Sequence, residues 1–272
     1  MRGSPMPQIA FILAATEAGP MIVNRLDVHT TEHGFFGVGA ELLQAGHYAE
    51  QDIQGLAGVL SLRRQHCGDG VVALDVGANI GTHTVAWAKL MTGWGEVLAV
   101  EPQERVYYAL AGNIAINNLF NARALQAVIG EHDGWIEIPV LDHTKPASFG
   151  SLELRPCSEE VIGQTPERSE RARMVRIDTI LDTGRVDLIK LDVEGMELAA
   201  LEGAEMTIEH WRPVLFVEWA KCGAEPLRTW LAARGYDSHV LGINLLAIHQ
   251  QDPVAAHVQK KPPGAGQGDE PL

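Results

Sequence analysis

The chain has 272 residues, is 46% hydrophobic, and carries a formal net charge of −14 with a sequence pI near 5.2. That length suits one large α/β domain with additions, or at most two small ones, and the acidic balance argues against nucleic acid or an anionic membrane surface as a partner. Cys67, Cys157 and Cys222 are scattered and never form a C-x-x-C pair, which argues against structural zinc and suits a reducing, cytoplasmic setting.

Met1-Arg2-Gly3-Ser4 reads as a cloning leader and carries no functional weight. The apolar run Gln8–Ala15 follows a single basic residue and is soon met by Glu17, so it reads as an early strand rather than an export signal. No stretch approaches the ~18 to 20 apolar residues that a membrane span requires. Residues 1–70 form an N-terminal extension packing on the core, with a strand at Met21–Arg25 and a helix whose Ile53, Leu56, Val59 and Leu60 fall at helical spacing.

From Val71 to residue 250 strands and helices alternate, which predicts a parallel sheet. The first strand is Val71–Val76, followed by a glycine-rich turn and a helix with Val85, Ala86, Ala88, Leu90 and Met91 on its apolar face. Next come a strand at Glu96–Glu101, a helix at Gln103–Asn118 and a third strand near Ala122–Ile129. Over 130–178 the helical period disappears. Trp135–Val140 and Met174–Ile177 instead read as strands separated by turn formers, a β-rich insertion suited to holding an acceptor. Regular alternation resumes with the strand Asp187–Asp192, a helix from Met196 to Trp211, the strand Pro213–Glu218 and a helix from Glu225 to Arg234. Ser238–Leu241 and Leu245–His249 are the final strands, and the composition of 251–272 predicts a disordered tail.

Strand, glycine turn and helix N-terminus together make a nucleotide-type site at the carboxyl edge of a sheet. Asp75, two residues before Gly77, would repel an anionic pyrophosphate but not a cofactor with a cationic amino-acid end. Asp75-x-Gly77-x-x-x-Gly81 therefore favours S-adenosylmethionine over NAD. Glu101, at the end of the second strand, suits a ribose diol, or else caps the helix that begins near Gln103. Asn79 either holds the loop or contacts the cofactor through its amide. His83 could act as a base or bind the cofactor carboxylate, while Thr82 and Thr84 could satisfy helix-terminal amides.

These residues resemble the FkbM-type methyltransferase family. The matching pieces are Leu74–Thr84, Val100-Glu101-Pro102, Asn117-Asn118-Leu119, Ile177–Asp182 and Ile189–Glu197 with its continuation Leu201–Ala204. They occur in the expected order over roughly Val71 to Trp219. The resemblance implies a Rossmann-like class I methyltransferase: an α/β fold with a central, mostly parallel seven-stranded sheet and helices on both faces. It also implies S-adenosylmethionine as cofactor and O-methylation of a sugar, glycoconjugate or secondary-metabolite hydroxyl.

Asp75, Gly77, Asn79, Gly81, Thr82, Glu101 and Asp192 are the expected cofactor contacts. A hydroxyl near its free pKa is a poor nucleophile, so a base helps. Asp192, at the end of the fourth core strand, is the first candidate; it could instead cap the next helix or anchor the methionine ammonium. Glu194 could be base, metal ligand or helix-cap partner, and His83 is a further candidate base. Glu218, closing the fifth strand, could join Asp192 and Glu194 in a cluster suited to Mg²⁺, but the spacing demands no metal and methyl transfer needs none, so none is assigned. Ser148, Gly150 and Ser151 read either as a segment that approaches a ligand or as a plain turn. One of Tyr107 and Tyr108 could cover an adenine, although helical aromatics, like Trp135, Trp211, Trp219 and Trp230, are more often core. The rival readings are an NAD-dependent oxidoreductase, a non-catalytic binding module and a protein or nucleic-acid methyltransferase. The partner implied is a small-molecule or sugar acceptor, and a homo-oligomer formed through the N-terminal extension stays open.

Overall fold

A computed structural model describes residues 8–31, 34–155, 162–181 and 184–258. The leader Met1–Ser4, Cys157, Asp182 and the tail beyond residue 258 lie outside them. The extension folds as the hairpin β1 (Phe11–Thr16) and β2 (Gly19–Asn24), a short pair β3 (His29–Thr31) and β4 (Gly34–Phe36), and the helices α1 (Val38–Ala45) and α2 (Glu50–Cys67). The core follows with β5 (Val71–Val76), α3 (Thr82–Leu90), β6 (Gly95–Val100), α4 (Glu104–Ile116) and β7 (Ala122–Leu125). The insertion holds β8 (Val128–Ile129), β9 (Gly134–Val140) and β10 (Arg168–Val175). Then come α5 (Ile177–Ile180), β11 (Leu188–Leu191), α6 (Glu197–Glu202), α7 (Glu205–Trp211) and β12 (Val214–Glu218). The last regular elements are α8 (Ala224–Ala232), β13 (Tyr236–Leu241) and β14 (Asn244–His249).

Seven strands form the central sheet in the order β13-β14-β12-β11-β5-β6-β7, with β14 antiparallel to both neighbours and the other pairs parallel. Every residue of β5 and of β11 is buried, as expected of apolar strands covered on both faces. On one face Leu60 of α2, Val85 and Trp87 of α3 and Met21 of β2 cover Val71, Ala73 and Val97. On the other, Leu201, Ile208, Leu227 and Leu231 from α6, α7 and α8 cover Leu74, Ile189 and Leu215. The extension thus packs into the core on that face. Because the chain steps from β5 to β6 and β7 on one side and later fills β11 and β12 on the other, the sheet has a switch point between β5 and β11. A crevice opens there at the carboxyl ends.

Four expectations need correction. The strand near Ala122–Ile129 is two strands: β7 stays in the main sheet, while β8 leaves it to pair with β10, because β6 ends at Val100 and offers no partner beyond Leu125. The helix from Met196 to Trp211 breaks at Gly203. A Cβ there would fall 2.1 Å from the Gly130 carbonyl, and Asp178 caps the second piece by accepting from the Met206 and Thr207 amides at 3.2 and 2.9 Å. Order continues past residue 250, since Asp252 ion-pairs with Arg63 of α2, which also holds Asp187 at 2.9 Å, and Val254 is fully buried. Trp135 is not core: it is 59% exposed, with the Arg171 guanidinium 4.8 Å from its ring.

Candidate active site

The carboxyl end of β5 turns sharply through Gly77, Asn79 and Gly81, all at positive φ. The Gly77 and Ala78 amides both donate to the Val100 carbonyl at 3.0 Å. A Cβ on Gly77 would sit 1.7 Å from the Asp192 carbonyl oxygen, so only glycine lets this turn press against the end of β11. The Asn79 amide donates to one Glu101 carboxylate oxygen at 3.0 Å, and the Gln103 amide donates to the other at 2.9 Å. Glu101 therefore ties the glycine turn to the residue that precedes α4 without capping that helix, whose N-cap Gln103 makes no side-chain cap bond, and it also lines the cavity. Burial pushes its carboxyl up to about 7, against the pull of those two amides.

This cavity, of about 270 Å³, lies over the switch point. Gly77, Asn79, Thr82, His83, Glu101, Asp192 and Glu194, seven of the expected site residues, line it. Asp75 and Gly81 do not. Asp75 is fully buried, accepts the Thr84 hydroxyl at 2.6 Å and pairs with Lys190 at 3.6 Å. The physical reason is register: Asp75 and Lys190 are direct neighbours across β5 and β11, so their side chains share one face of the sheet. Asp75 thus fixes the first turn of α3 from behind. Gly81 packs on α4, where a Cβ would meet Leu110 at 2.6 Å.

His83 stands in that first turn, edge-on to Trp87 with ring centroids 5.3 Å apart. Burial, then the Lys190 charge, push its imidazole down to about 3, so it is neutral at physiological pH, and its Nε2 has no hydrogen-bond partner.

The opposite wall is charged. Lys190 is buried in β11 and reaches Asp192 at 3.1 Å as well as Asp75. Burial opposes its charge, but Asp192 and Asp75 outweigh that and hold the ammonium above its ordinary value. Glu194, at φ 54, precedes Gly195 at φ 98, and the Glu197 carboxylate accepts from the Val193 and Gly195 amides to hold this turn. Lys221 bridges Glu194 at 2.9 Å and Glu153 at 3.4 Å. Asp192, Glu194 and Glu218 each bring a carboxylate oxygen to within 4.8 Å of the other two. Burial, then the neighbouring Asp192, Glu194 and Glu197 carboxylates and a hydrogen bond shared with Asp192, hold Glu218 well above the ordinary range.

From the insertion, Ser148, Gly150 and Ser151 close the cavity, with Gly150 so near the turn that a Cβ would lie 2.8 Å from the side-chain Nδ2 of Asn79. Tyr107 and Tyr108 do not reach it. Lys190, Phe36, Val38 and Tyr48 are among the lining residues that escaped the sequence reading. Lys190 had a signal, a charge inside an apolar strand, which must find a partner when buried. Phe36, Val38 and Tyr48 had none, because only the fold brings the extension to the sheet edge.

The model of the "Methyltransferase FkbM domain" matches residues 75–238. Methyltransferase sdnD of Sordaria araneosa is 27% identical, the match covering 72% of this chain and 89% of that protein. Among solved structures, a methyltransferase FkbM from Methylobacillus flagellatus KT aligns with a TM-score of 0.46 at 20% identity, over 66% of this chain and 43% of that one. A precorrin-6y C5,15-methyltransferase from Geobacter metallireducens GS-15 aligns with a TM-score of 0.42 at 14% identity, over 73% and 86%.

Proposed function

The chain belongs to the FkbM methyltransferase family and uses S-adenosylmethionine, and we propose that it methylates a hydroxyl on a sugar, glycoconjugate or secondary metabolite. The residues present fit the cofactor. Glu101 spends two acceptor positions on backbone amides and keeps others for a ribose diol. Thr82 and His83, in the first turn of α3 where helix amides favour negative charge, would hold the methionine carboxylate. Ala127, Val128 and Leu152 give the cavity an apolar wall for an adenine. Bound S-adenosylmethionine supplies a methyl carbon made electrophilic by its sulfonium.

The observation that carries the hydroxyl-acceptor reading is the Asp192 carboxylate, half-buried in the cavity wall and pinned at 3.1 Å by Lys190. A carboxylate so placed accepts the acceptor's proton as the oxygen attacks, a contribution of about 10²- to 10⁴-fold when the base is well positioned. Lys190 fixes its orientation. His83, in the first turn of α3, is assigned to cofactor binding. Glu194, steadied by Lys221, borders the acceptor, and Phe36, Val38 and Tyr48 of the extension shape the remaining wall.

The test is incubation with S-adenosylmethionine carrying a ¹³C methyl group and a panel of sugars, glycosides and hydroxylated metabolites. An O-methyl resonance in the product supports this reading. A labelled methyl on nitrogen or carbon overturns it.

A further inference from the structure

Two large apolar side chains stand in water at the mouth of the cavity. Phe36, in β4, is 52% exposed, and Ile243, in the turn between β13 and β14, is 55% exposed; both line the cavity. Phe35 beside the one, and Val240 and Leu241 beside the other, are exposed as well. Turns favour Gly, Asn, Asp and Ser, so Gly242 accounts for the hairpin and Ile243 is left unexplained by it. A single exposed apolar residue is ordinary. Two that converge on one cavity from distant parts of the chain mark a surface that something covers.

Both are fixed in place. The Trp219 amide donates to the Ile243 carbonyl at 2.9 Å, and the next residue, Asn244, pairs with Glu218 across β14 and β12. Phe36 pairs with His29 across β3 and β4 and is followed by Gly37, where a Cβ would lie 2.3 Å from the Asp27 carbonyl oxygen. In the sheet order, β14 and β12 lie on the β11 side of the switch point, away from β6. Ile243 therefore borders the Asp192 end of the cavity rather than the Glu101 end. That end combines a charged wall with an apolar rim.

We propose that Phe36 and Ile243 form an apolar subsite for the body of the acceptor, which is amphipathic: a hydroxyl-bearing end reaches Asp192, and a hydrocarbon or aromatic part covers the rim. The proposal rests on the hydroxyl-methylation reading above and narrows it, since a free sugar would leave both side chains in water. Covering them is favourable in rough proportion to the apolar area removed from water.

The experiment adds methyl, butyl and hexyl β-D-glucoside, each below its aggregation threshold, to the full chain saturated with S-adenosylhomocysteine. The readout is the ¹³C-labelled δ1-methyl resonance of Ile243. A methylene that leaves water completely strengthens binding by about fourfold, so the hexyl glucoside should bind at least about tenfold more tightly than the methyl one. Phe36→Ser should weaken hexyl glucoside binding by about fivefold or more, as expected when an aromatic side chain no longer covers the ligand. Affinity of that variant for S-adenosylhomocysteine should move by less than about threefold, which also shows that it is folded. An Ile243 resonance that does not respond, or equal affinity for the three glucosides, overturns the proposal and leaves the cofactor assignment in place. A parallel loss of S-adenosylhomocysteine affinity in Phe36→Ser overturns it by giving the rim to the cofactor. A sedimentation mass of two chains that falls to one in Phe36→Ser overturns it by giving the rim to a second copy. A chain-length gain alongside a methyl label on nitrogen or carbon keeps the apolar subsite and removes the hydroxyl reading.

Discussion

On the β5–β6 side of the cavity the functional carboxylate is held by main chain: Glu101 receives the amides of Asn79 and Gln103, and the turn itself hangs from the Val100 carbonyl. On the β11–β12 side side chains hold one another, in the chains Asp75–Lys190–Asp192 and Glu153–Lys221–Glu194, with Glu218 beside them. Backbone-held polar groups are fixed wherever the fold forms, which suits a cofactor that never changes. Side-chain networks depend on charge balance and can be retuned by single substitutions, which suits the acceptor-facing role proposed for this half.

The sharpest way to break this contrast is to remove the cation on the charged side. Lys190→Met strands the fully buried Asp75, and breaking a buried pair costs about 3–5 kcal/mol, so Tm should fall by about 10 °C in a calorimetric scan. A variant that melts within a degree of the wild type would mean that side-chain charge does not organise that half.

Asp192→Asn should separate the two halves functionally. It keeps the shape and removes the proton acceptor, so turnover should drop by about 100-fold or more while the dissociation constant for S-adenosylhomocysteine moves by less than about threefold. The reverse pattern, weak cofactor binding with normal turnover at saturation, would place Asp192 on the cofactor instead.

Glu101→Gln probes the backbone-held side. Hydrogen bonds to a charged acceptor contribute about 1.5–3 kcal/mol, so S-adenosylhomocysteine should bind at least about tenfold more weakly, measured calorimetrically.

The smallest effect is one of pH. Glu101 is raised from 4.5 to about 7 in the folded chain, so the stability tied to its protonated form is complete below 4.5 and is lost as pH rises through 7. The Tm of the wild type relative to Glu101→Gln should therefore fall by a few degrees between pH 5 and 8. A constant difference across that range would show that Glu101 titrates normally.

These two halves were also unequally legible in the sequence. The turn from Val71 to Gly81 and the acid closing β6 are local, so strand pattern and glycine spacing were enough to identify them. Even so, the residue that opened that argument, Asp75, turned out to face Thr84 and Lys190. Spacing along one strand does not tell which face of the sheet a side chain takes until its neighbours are known. The charged side is assembled from β11, β12, the insertion and the extension. Lys190 could have been noticed as a charge within Leu188–Leu191, but nothing in the sequence joins Tyr48 to Asp192 or Lys221 to Glu194. The break at Gly203 was hidden for the same reason, since its causes, Gly130 and Asp178, are distant in the chain.

The most direct test of the central claim, that the crevice over the β5–β11 switch point holds S-adenosylmethionine with Glu101 on its ribose, is calorimetric titration with S-adenosylhomocysteine and, in parallel, NAD⁺. The account predicts saturable binding of S-adenosylhomocysteine, one per chain, weakened by Glu101→Gln, and no heat from NAD⁺. Saturable binding of NAD⁺ with silence toward S-adenosylhomocysteine would contradict it.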